Sequence, residues 1–103
     1  MLLTDQAVRD LNDIGDFIAA REGEELADAM LDRLEGAILS LAALPDRGDI
    51  PPELERIGVL TYRELHEKPY RILYRREANT VFIHAILDAR RDVQSLLGER
   101  VLR

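Results

Sequence analysis

The sequence predicts an α+β domain in which a helical hairpin packs on a small antiparallel sheet and a C-terminal helix follows. Three observations lead to this prediction. Apolar residues recur with the helical period up to Pro45, three later segments alternate in polarity, and the connections between those segments span only two or three residues. Strands joined so closely must be antiparallel neighbours. The predicted order is therefore (β)ααβββα, within a single domain that comprises residues 1–103.

Two amphipathic helices are predicted to form the hairpin. Thr4 is suited to be the N-cap of the first helix, and a short turn at Gly23 ends that helix. The second helix should run until Pro45, which cannot continue a helix. Two helices joined by a short glycine-containing turn are typical of an antiparallel hairpin. The apolar positions expected to face the core are Ala7, Val8, Leu11, Ile14, Phe17 and Ile18 in the first helix, and Leu26, Ala27, Met30, Leu31, Leu34, Ala37, Ile38, Leu41 and Leu44 in the second.

Three strands are predicted after the hairpin, where β-branched and aromatic residues become frequent and polarity alternates. The turns between these strands are expected at Lys68-Pro69 and Ala78-Asn79. The predicted strands cover residues 59–67, 70–77 and 80–88.

Three further segments complete the predicted order. Leu2 and Leu3 are expected to be the remnant of another edge strand. Segment 45–58 holds three of the four prolines and is interpreted as a connector inside the domain. Helical spacing returns over residues 92–102, through Val93, Leu96, Leu97, Val101 and Leu102.

The composition excludes several kinds of site. There is no cysteine, so disulfides, thiolate catalysis and cysteine-ligated metals are excluded. His66 and His84 are the only histidines, which excludes a three-histidine metal site, and neither a metal nor another cofactor is expected. The N-terminus lacks the features of a signal peptide, and no apolar stretch is long enough to span a bilayer. We therefore expect a cytoplasmic protein without membrane contact.

Charge is distributed unevenly along the chain. The net charge of −6 and the sequence pI of about 4.9 argue against a general nucleic-acid binder. Up to Thr61, however, five basic residues accompany 14 acidic ones, a net of −9, whereas the remainder has nine basic and six acidic residues, a net of +3. The basic excess therefore lies in the predicted sheet and the C-terminal segment, and an anion-binding surface there is compatible with the acidic total.

Several arginines are expected at one face of the sheet. Because the helical hairpin covers only one face, side chains that alternate away from it should emerge on the open face or at its rim. Alternation predicts two groups of side chains on opposite faces of the sheet. One group is Arg63, Arg71, Leu73 and Arg75, and the other is Tyr62, Tyr70, Ile72 and Tyr74.

Three interpretations of these charges are open. The arginines could solvate an exposed sheet and pair with the acidic residues Glu64, Glu67, Asp88 and Asp92. They could bind an acidic partner. They could also support phosphate or RNA chemistry, which without a metal needs a base, an acid and a cation beside the phosphorane. The residues able to supply those groups are Glu64, His66 or His84, and Arg71 with Arg91, although a lone strand histidine such as His84 is more typical of a structural role.

The sequence resembles the RelE/ParE superfamily, the toxin halves of bacterial type II toxin–antitoxin pairs. The resemblance covers residues 3–103, and its most specific parts are the strand YRILYR at residues 70–75 and the run into DARRD at residues 88–92. The segments that carry it are AVRDLNDIGDFIA, LAALP, YRELHEKPYRILYR and VFIHAILDARRDVQSLL.

The resemblance implies a toxin that a cognate antitoxin neutralises. ParE-like members poison DNA gyrase, and this function is favoured because RDLNDIGDFIA is closer to those members and because the acidic pI opposes entry into the ribosome. Such a toxin has no catalytic residue of its own. Its target- or anion-binding residues would be Arg63, Arg71, Arg75, Arg90 and Arg91.

Two alternatives stay open. RelE-like members are ribosome-dependent, metal-independent mRNA endoribonucleases. Arg71 matches their third-strand arginine and Arg91 the later one, and Glu64 or His66 would then shuttle protons, because no tyrosine or histidine follows Asp92. The second alternative is a non-toxic or differently targeted protein-binding module of the same fold.

Overall fold

Two long helices lie against one face of a four-stranded sheet, and two shorter helices lie against the other face. The computed structural model describes the backbone of residues 1–101 and the side chains of residues 1–98. The sequence also predicts that Val101 and Leu102 continue the apolar spacing of the last helix. The side chain of Val101 and the whole of Leu102 lie outside the described residues. The elements are β1 (Leu2–Leu3), α1 (Asp5–Glu22), α2 (Glu24–Ser40), α3 (Pro52–Glu55), β2 (Tyr62–Glu67), β3 (Tyr70–Glu77), β4 (Thr80–Asp88) and α4 (Val93–Val101).

The helical hairpin forms where the sequence predicts it. The Thr4 hydroxyl accepts a hydrogen bond from the amide of Ala7 at 3.1 Å, which confirms Thr4 as the N-cap of α1. Gly23, at a φ of 98°, ends α1 and precedes α2 directly. The expected extension of α2 to Pro45 is wrong: α2 ends at Ser40, and the amide of Leu41 bonds to the carbonyl of Ile38, the tighter spacing common at helix ends.

The sheet has the order β1-β4-β3-β2 and is mixed rather than purely antiparallel. Both predicted turns are confirmed, and β2, β3 and β4 pair antiparallel. The edge strand expected at Leu2 and Leu3 exists, but it pairs parallel to β4. β2 begins three residues later than expected, because the amide of Val59 bonds to the carbonyl of Leu54 and thereby belongs to the end of α3.

The register of the β2–β3 hairpin corrects the predicted distribution of side chains. Arg63 lies opposite Tyr74, and Tyr62 lies opposite Arg75. Directly paired residues share a face, so Arg63 is on the face of the helical hairpin, and Tyr62 is on the other face with Arg75. The grouping of Arg63 with Arg71 and Arg75 is therefore wrong.

A bulge in β4 shifts the alternation again. Leu73 pairs with Ala85, but the next residue, Tyr74, pairs with Ile83, so His84 is the additional residue. The bulge places Ile83 and Ile86 on the same face, three positions apart, where both contribute to one core cluster.

Among the residues whose side chains the structure describes, the core consists of two clusters, one on each face of the sheet. The larger lies under α1 and α2 and includes Leu34, Ile72 and Tyr74. The smaller cluster joins Leu54 of α3 and Val93 of α4 to the sheet. The sequence suggested that this second face is open, but the two short helices cover part of it. Four apolar residues predicted to face the core are instead exposed, namely Val8, Phe17, Leu26 and Leu44. Within the described part of the chain, no helix is long and apolar enough to cross a membrane.

Candidate functional site

Arg71 of β3 is the centre of a buried ion-pair network. Its side chain is 7% exposed, and all three of its nitrogen atoms donate hydrogen bonds. Nε donates to Glu64, and Nη1 and Nη2 donate to the two carboxylate oxygens of Glu53 at 3.0 and 2.9 Å. Nη1 also donates to the carbonyl oxygen of Arg91 at 3.1 Å. The expectation that Arg71 emerges at an open face is thus wrong, because α3 and the start of α4 cover it.

Glu53 joins three elements at this network. It lies in α3 and binds Arg71 of β3, and its Oε2 atom accepts a hydrogen bond from the amide of Val93, the first residue of α4, at 3.2 Å. The hydrogen bond from Arg71 is the main reason that the pKa of Glu53 falls from its ordinary value of 4.5 to about 2. Burial by itself would lower the pKa of Arg71, but the hydrogen bonds to Glu53 and Glu64 outweigh it and raise that pKa.

The residues named for RNA chemistry come close together, apart from His84. Nε2 of His66 lies 3.4 Å from Oε2 of Glu64, which in turn binds Arg71. Arg91 approaches Arg71 through its backbone carbonyl. The ring of His84 packs edge-on against Tyr62, with 5.4 Å between ring centroids, and takes no part in this group.

A basic cavity of about 540 Å³ opens beside the network, between α3 and the start of α4. Arg56, Arg90 and Arg91 line it together with Arg71. Arg90 is held by Asp88, with Nε 3.0 Å from Oδ1, and its side chain is 91% exposed. Sequence reasoning missed Arg56, because segment 45–58 was interpreted as a connector. Its one signal was the helix-compatible PELER run that starts at Pro52.

The other two arginines named as binding residues, Arg63 of β2 and Arg75 of β3, lie where β2 begins and β3 approaches its end, away from Arg71. Arg63 and Arg75 line a separate cavity of about 360 Å³, in which Asp46 and Glu77 provide negative charge. Arg63 donates to the carbonyl of Gly48 at 2.7 Å, and Arg75 binds Glu77 at 3.1 Å. Arg71 and Arg75 are four positions apart along β3, which corresponds to roughly 13 Å. The five arginines therefore do not form one surface.

Among the residues that the structure describes, no group of three or more histidine, aspartate or glutamate side chains is placed to hold a metal ion.

Comparisons with known proteins agree on one family. Residues 1–93 match the family model described as the ParE toxin of the type II toxin–antitoxin system parDE. The chain is 32% identical over 95 residues to Toxin ParE3 of Caulobacter vibrioides, a match that covers 88% of this chain and 87% of that protein. A chain from the chromosomal ParDE toxin–antitoxin system of P. aeruginosa superimposes with a TM-score of 0.71. It is 21% identical, and the match covers 84% of this chain and 91% of that chain, so this likeness shows the fold.

Proposed function

The chain belongs to the ParE toxin family and is the toxin component of a type II toxin–antitoxin system, and we propose that its target is DNA gyrase. A cognate antitoxin neutralises it in the cytoplasm, where gyrase and DNA are found. The toxin traps the cleavage intermediate that gyrase itself forms, so it needs no catalytic group of its own. The resemblance to ParE-like members and the match over residues 1–93 support this choice of target.

One observation favours gyrase over RNA cleavage: the hydrogen-bond donors of Arg71 are already used by carboxylates of this protein. A metal-independent ribonuclease would need this cation beside the phosphorane, but its donors already bind Glu53 and Glu64. Two carboxylates beside one guanidinium leave a net negative charge, which repels a phosphate group. The arrangement of Arg71, Glu53 and Glu64 therefore favours a structural role for these residues over a catalytic one.

We assign target contact to the basic cavity between α3 and the start of α4. Arg56, Arg90 and Arg91 are all exposed there. Guanidinium groups suit the carboxylates of an acidic protein surface and the phosphates of bound DNA. Both chemistries are available where gyrase holds DNA.

One pair of assays tests the proposed target. Purified toxin is added to a gyrase supercoiling and cleavage reaction, and separately to a cell-free translation reaction whose mRNA is mapped by primer extension. We expect linear DNA to accumulate while the mRNA stays intact. Codon-positioned cuts in the mRNA with unaffected gyrase would overturn the proposal in favour of the ribonuclease. The absence of an effect in both assays, and of growth inhibition on expression without antitoxin, would favour a non-toxic binding module.

A further inference from the structure

The lining of the basic cavity between α3 and the start of α4 differs from that of a typical protein-binding surface. Of the described residues that line this cavity of about 540 Å³, only Ile57 and Ala89 are apolar, and the others carry charged or amide side chains. The centre of a protein–protein interface is depleted of charge and enriched in aromatic residues, whereas protein–DNA interfaces are more polar and more basic. The composition of the lining therefore fits a nucleic acid better than a protein surface.

Two guanidinium groups present unused hydrogen-bond donors to this cavity. Within the described part of the chain Arg56 forms no ion pair, and only its Nε atom is engaged, with the carbonyl of Pro52 at 3.3 Å, so both Nη atoms are available. Arg90 binds Asp88 through Nε and Nη2, which leaves its Nη1 atom available. Because the Arg90 side chain is 91% exposed, this ion pair contributes little, and a phosphate can replace the carboxylate at small cost.

The two carboxylates that line the cavity, in contrast, already accept hydrogen bonds within the protein. Both oxygens of Glu53 accept from Arg71. Oδ1 of Asp92 accepts from the amide of Gln94 at 3.1 Å, and Oδ2 accepts from the hydroxyl of Ser95 at 3.0 Å. A protein surface offers donors and acceptors together, whereas the phosphate oxygens of DNA only accept. Available donors beside occupied acceptors therefore match a DNA backbone.

Charge is also separated across the sheet. Residues 5–40, which form the helical hairpin, contain ten acidic and three basic residues, a net of −7, whereas the rest of the chain has a net charge of +1. The hairpin covers one face of the sheet, and the cavity lies with α3 and α4 on the other. DNA repels the hairpin, so only the cavity side can approach it, and the total of −6 opposes binding to bare DNA. Contact with DNA therefore requires a partner that holds the DNA in place.

We propose that the toxin contacts the phosphate backbone of the DNA that gyrase holds, through Arg56, Arg90 and Arg91. The inference rests on the proposed gyrase target, and it specifies which component of the gyrase–DNA complex this cavity contacts. The phosphates lie on the exposed guanidinium groups and not at Arg71, whose two carboxylate partners repel them. Because such a toxin binds gyrase with DNA more tightly than gyrase alone, it shifts the equilibrium towards the DNA-bound complex.

Cross-linking in a mixture of full-length toxin, gyrase and end-labelled duplex DNA tests this contact directly. The chain contains no cysteine, so Gln94→Cys, in the lining of the cavity, provides a unique attachment point for a photoactivatable maleimide. We expect this variant to form covalent adducts with the DNA. Asn12→Cys is the matched control, because it places the same group at an exposed polar position of α1, and it should give at least tenfold fewer DNA adducts.

A comparison of affinities tests the contribution of the arginines. Fluorescence anisotropy measures the affinity of the toxin for gyrase alone and for gyrase loaded with duplex DNA. In Arg56→Gln/Arg90→Gln the gain in affinity that DNA provides should fall at least tenfold, while the affinity for gyrase alone stays within twofold of wild type. Arg9→Gln removes an exposed arginine of α1 outside the cavity and should keep the full gain.

The possible outcomes separate DNA contact from the gyrase target itself. Adducts of Gln94→Cys with gyrase subunits only, or equal losses of affinity with and without DNA, would overturn the inference in favour of an acidic surface of gyrase. The absence of any adduct, in a reaction where the unmodified toxin still promotes DNA cleavage, would overturn it as well and leave the gyrase target standing. Unmodified toxin that has no effect on gyrase but cuts mRNA would overturn the proposed target.

Discussion

Arg71 and Glu53 form a bidentate ion pair across the contact between β3 and α3, with nitrogen–oxygen distances of 3.0 and 2.9 Å. Because Glu53 also accepts the amide of Val93, this pair fixes the start of α4 relative to the sheet. The pair therefore positions the basic cavity that we assign to the target, although neither residue needs to contact it.

Removing Arg71 should destabilise the fold severely. In Arg71→Ala the buried Glu64 carboxylate, 3% exposed, loses its cationic partner, and we expect the free energy of unfolding to fall by about 3–5 kcal/mol. Urea denaturation followed by circular dichroism measures this change. Arg90→Ala removes a fully exposed arginine and is the control, for which the urea midpoint should hardly move. Similar midpoints for the two variants would contradict the structural role of Arg71.

Acidification below pH 4.5 should reduce the contribution of Glu53 to the free energy of unfolding. The pKa of Glu53 is lowered to about 2 in the folded protein, so its stabilisation is complete above its ordinary pKa of 4.5 and is lost as the pH falls towards 2. At neutral pH the ionised Glu53 carboxylate should contribute about 2 kcal/mol to the free energy of unfolding, after allowance for solvent screening. The difference in unfolding free energy between wild type and Glu53→Gln, measured from pH 7 to pH 2, should shrink below pH 4.5. A difference that stays constant over this range would contradict the lowered pKa.

Two glycines should respond in opposite ways to alanine. A Cβ at Gly48 would lie 2.6 Å from the carbonyl oxygen of Glu64 and 2.7 Å from the hydroxyl of Tyr74, which itself accepts the Gly48 amide. Gly48→Ala should therefore lower the free energy of unfolding by about 2 kcal/mol or more. Gly36 in α2 has open space around it, and Gly36→Ala should stabilise the protein by about 0.5–1 kcal/mol. Thermal denaturation compares the two variants, and a stabilising Gly48→Ala would refute the close approach.

Charge reversal in the basic cavity should weaken activity on the target without unfolding the protein. In Arg56→Glu/Arg90→Glu two of the three exposed arginines of the cavity become acidic, and we expect gyrase cleavage to require at least tenfold more toxin. The same double variant should keep the far-ultraviolet spectrum of the wild type. Arg9→Glu reverses an exposed charge on α1 outside this cavity and should leave the cleavage unchanged. Full activity of the double variant would remove this cavity from target contact.

Local patterns were sufficient for most of the fold. The period of the apolar residues located α1, Thr4 was correctly identified as its N-cap, and the turn at Lys68-Pro69 placed the ends of β2 and β3. These features depend on neighbours within a few positions along the chain, which is the range over which sequence patterns act. The family resemblance was likewise readable from contiguous segments, and the match over residues 1–93 confirms it.

The candidate site was predicted less well, because its geometry depends on registers that period-two alternation does not define. Arg63 and Arg75 both have odd numbers and were assigned to one face, but the pairing of Tyr62 with Arg75 puts them on opposite faces. The bulge at His84 then changes which residues of β4 share a side. No single segment contains the information that fixes either feature.

The sequence by itself determined the fold class, the order of the elements apart from the short helix α3, the toxin family and the separation of an acidic first half from a basic second half. Only the tertiary structure decided what the charged residues do. Arg71 was identified from the sequence as an exposed cation, yet its main partner, Glu53, lies 18 positions earlier in the segment interpreted as a connector. A buried guanidinium must have its charge compensated, and the residue that compensates it is chosen by packing between distant segments, which local periodicity does not encode.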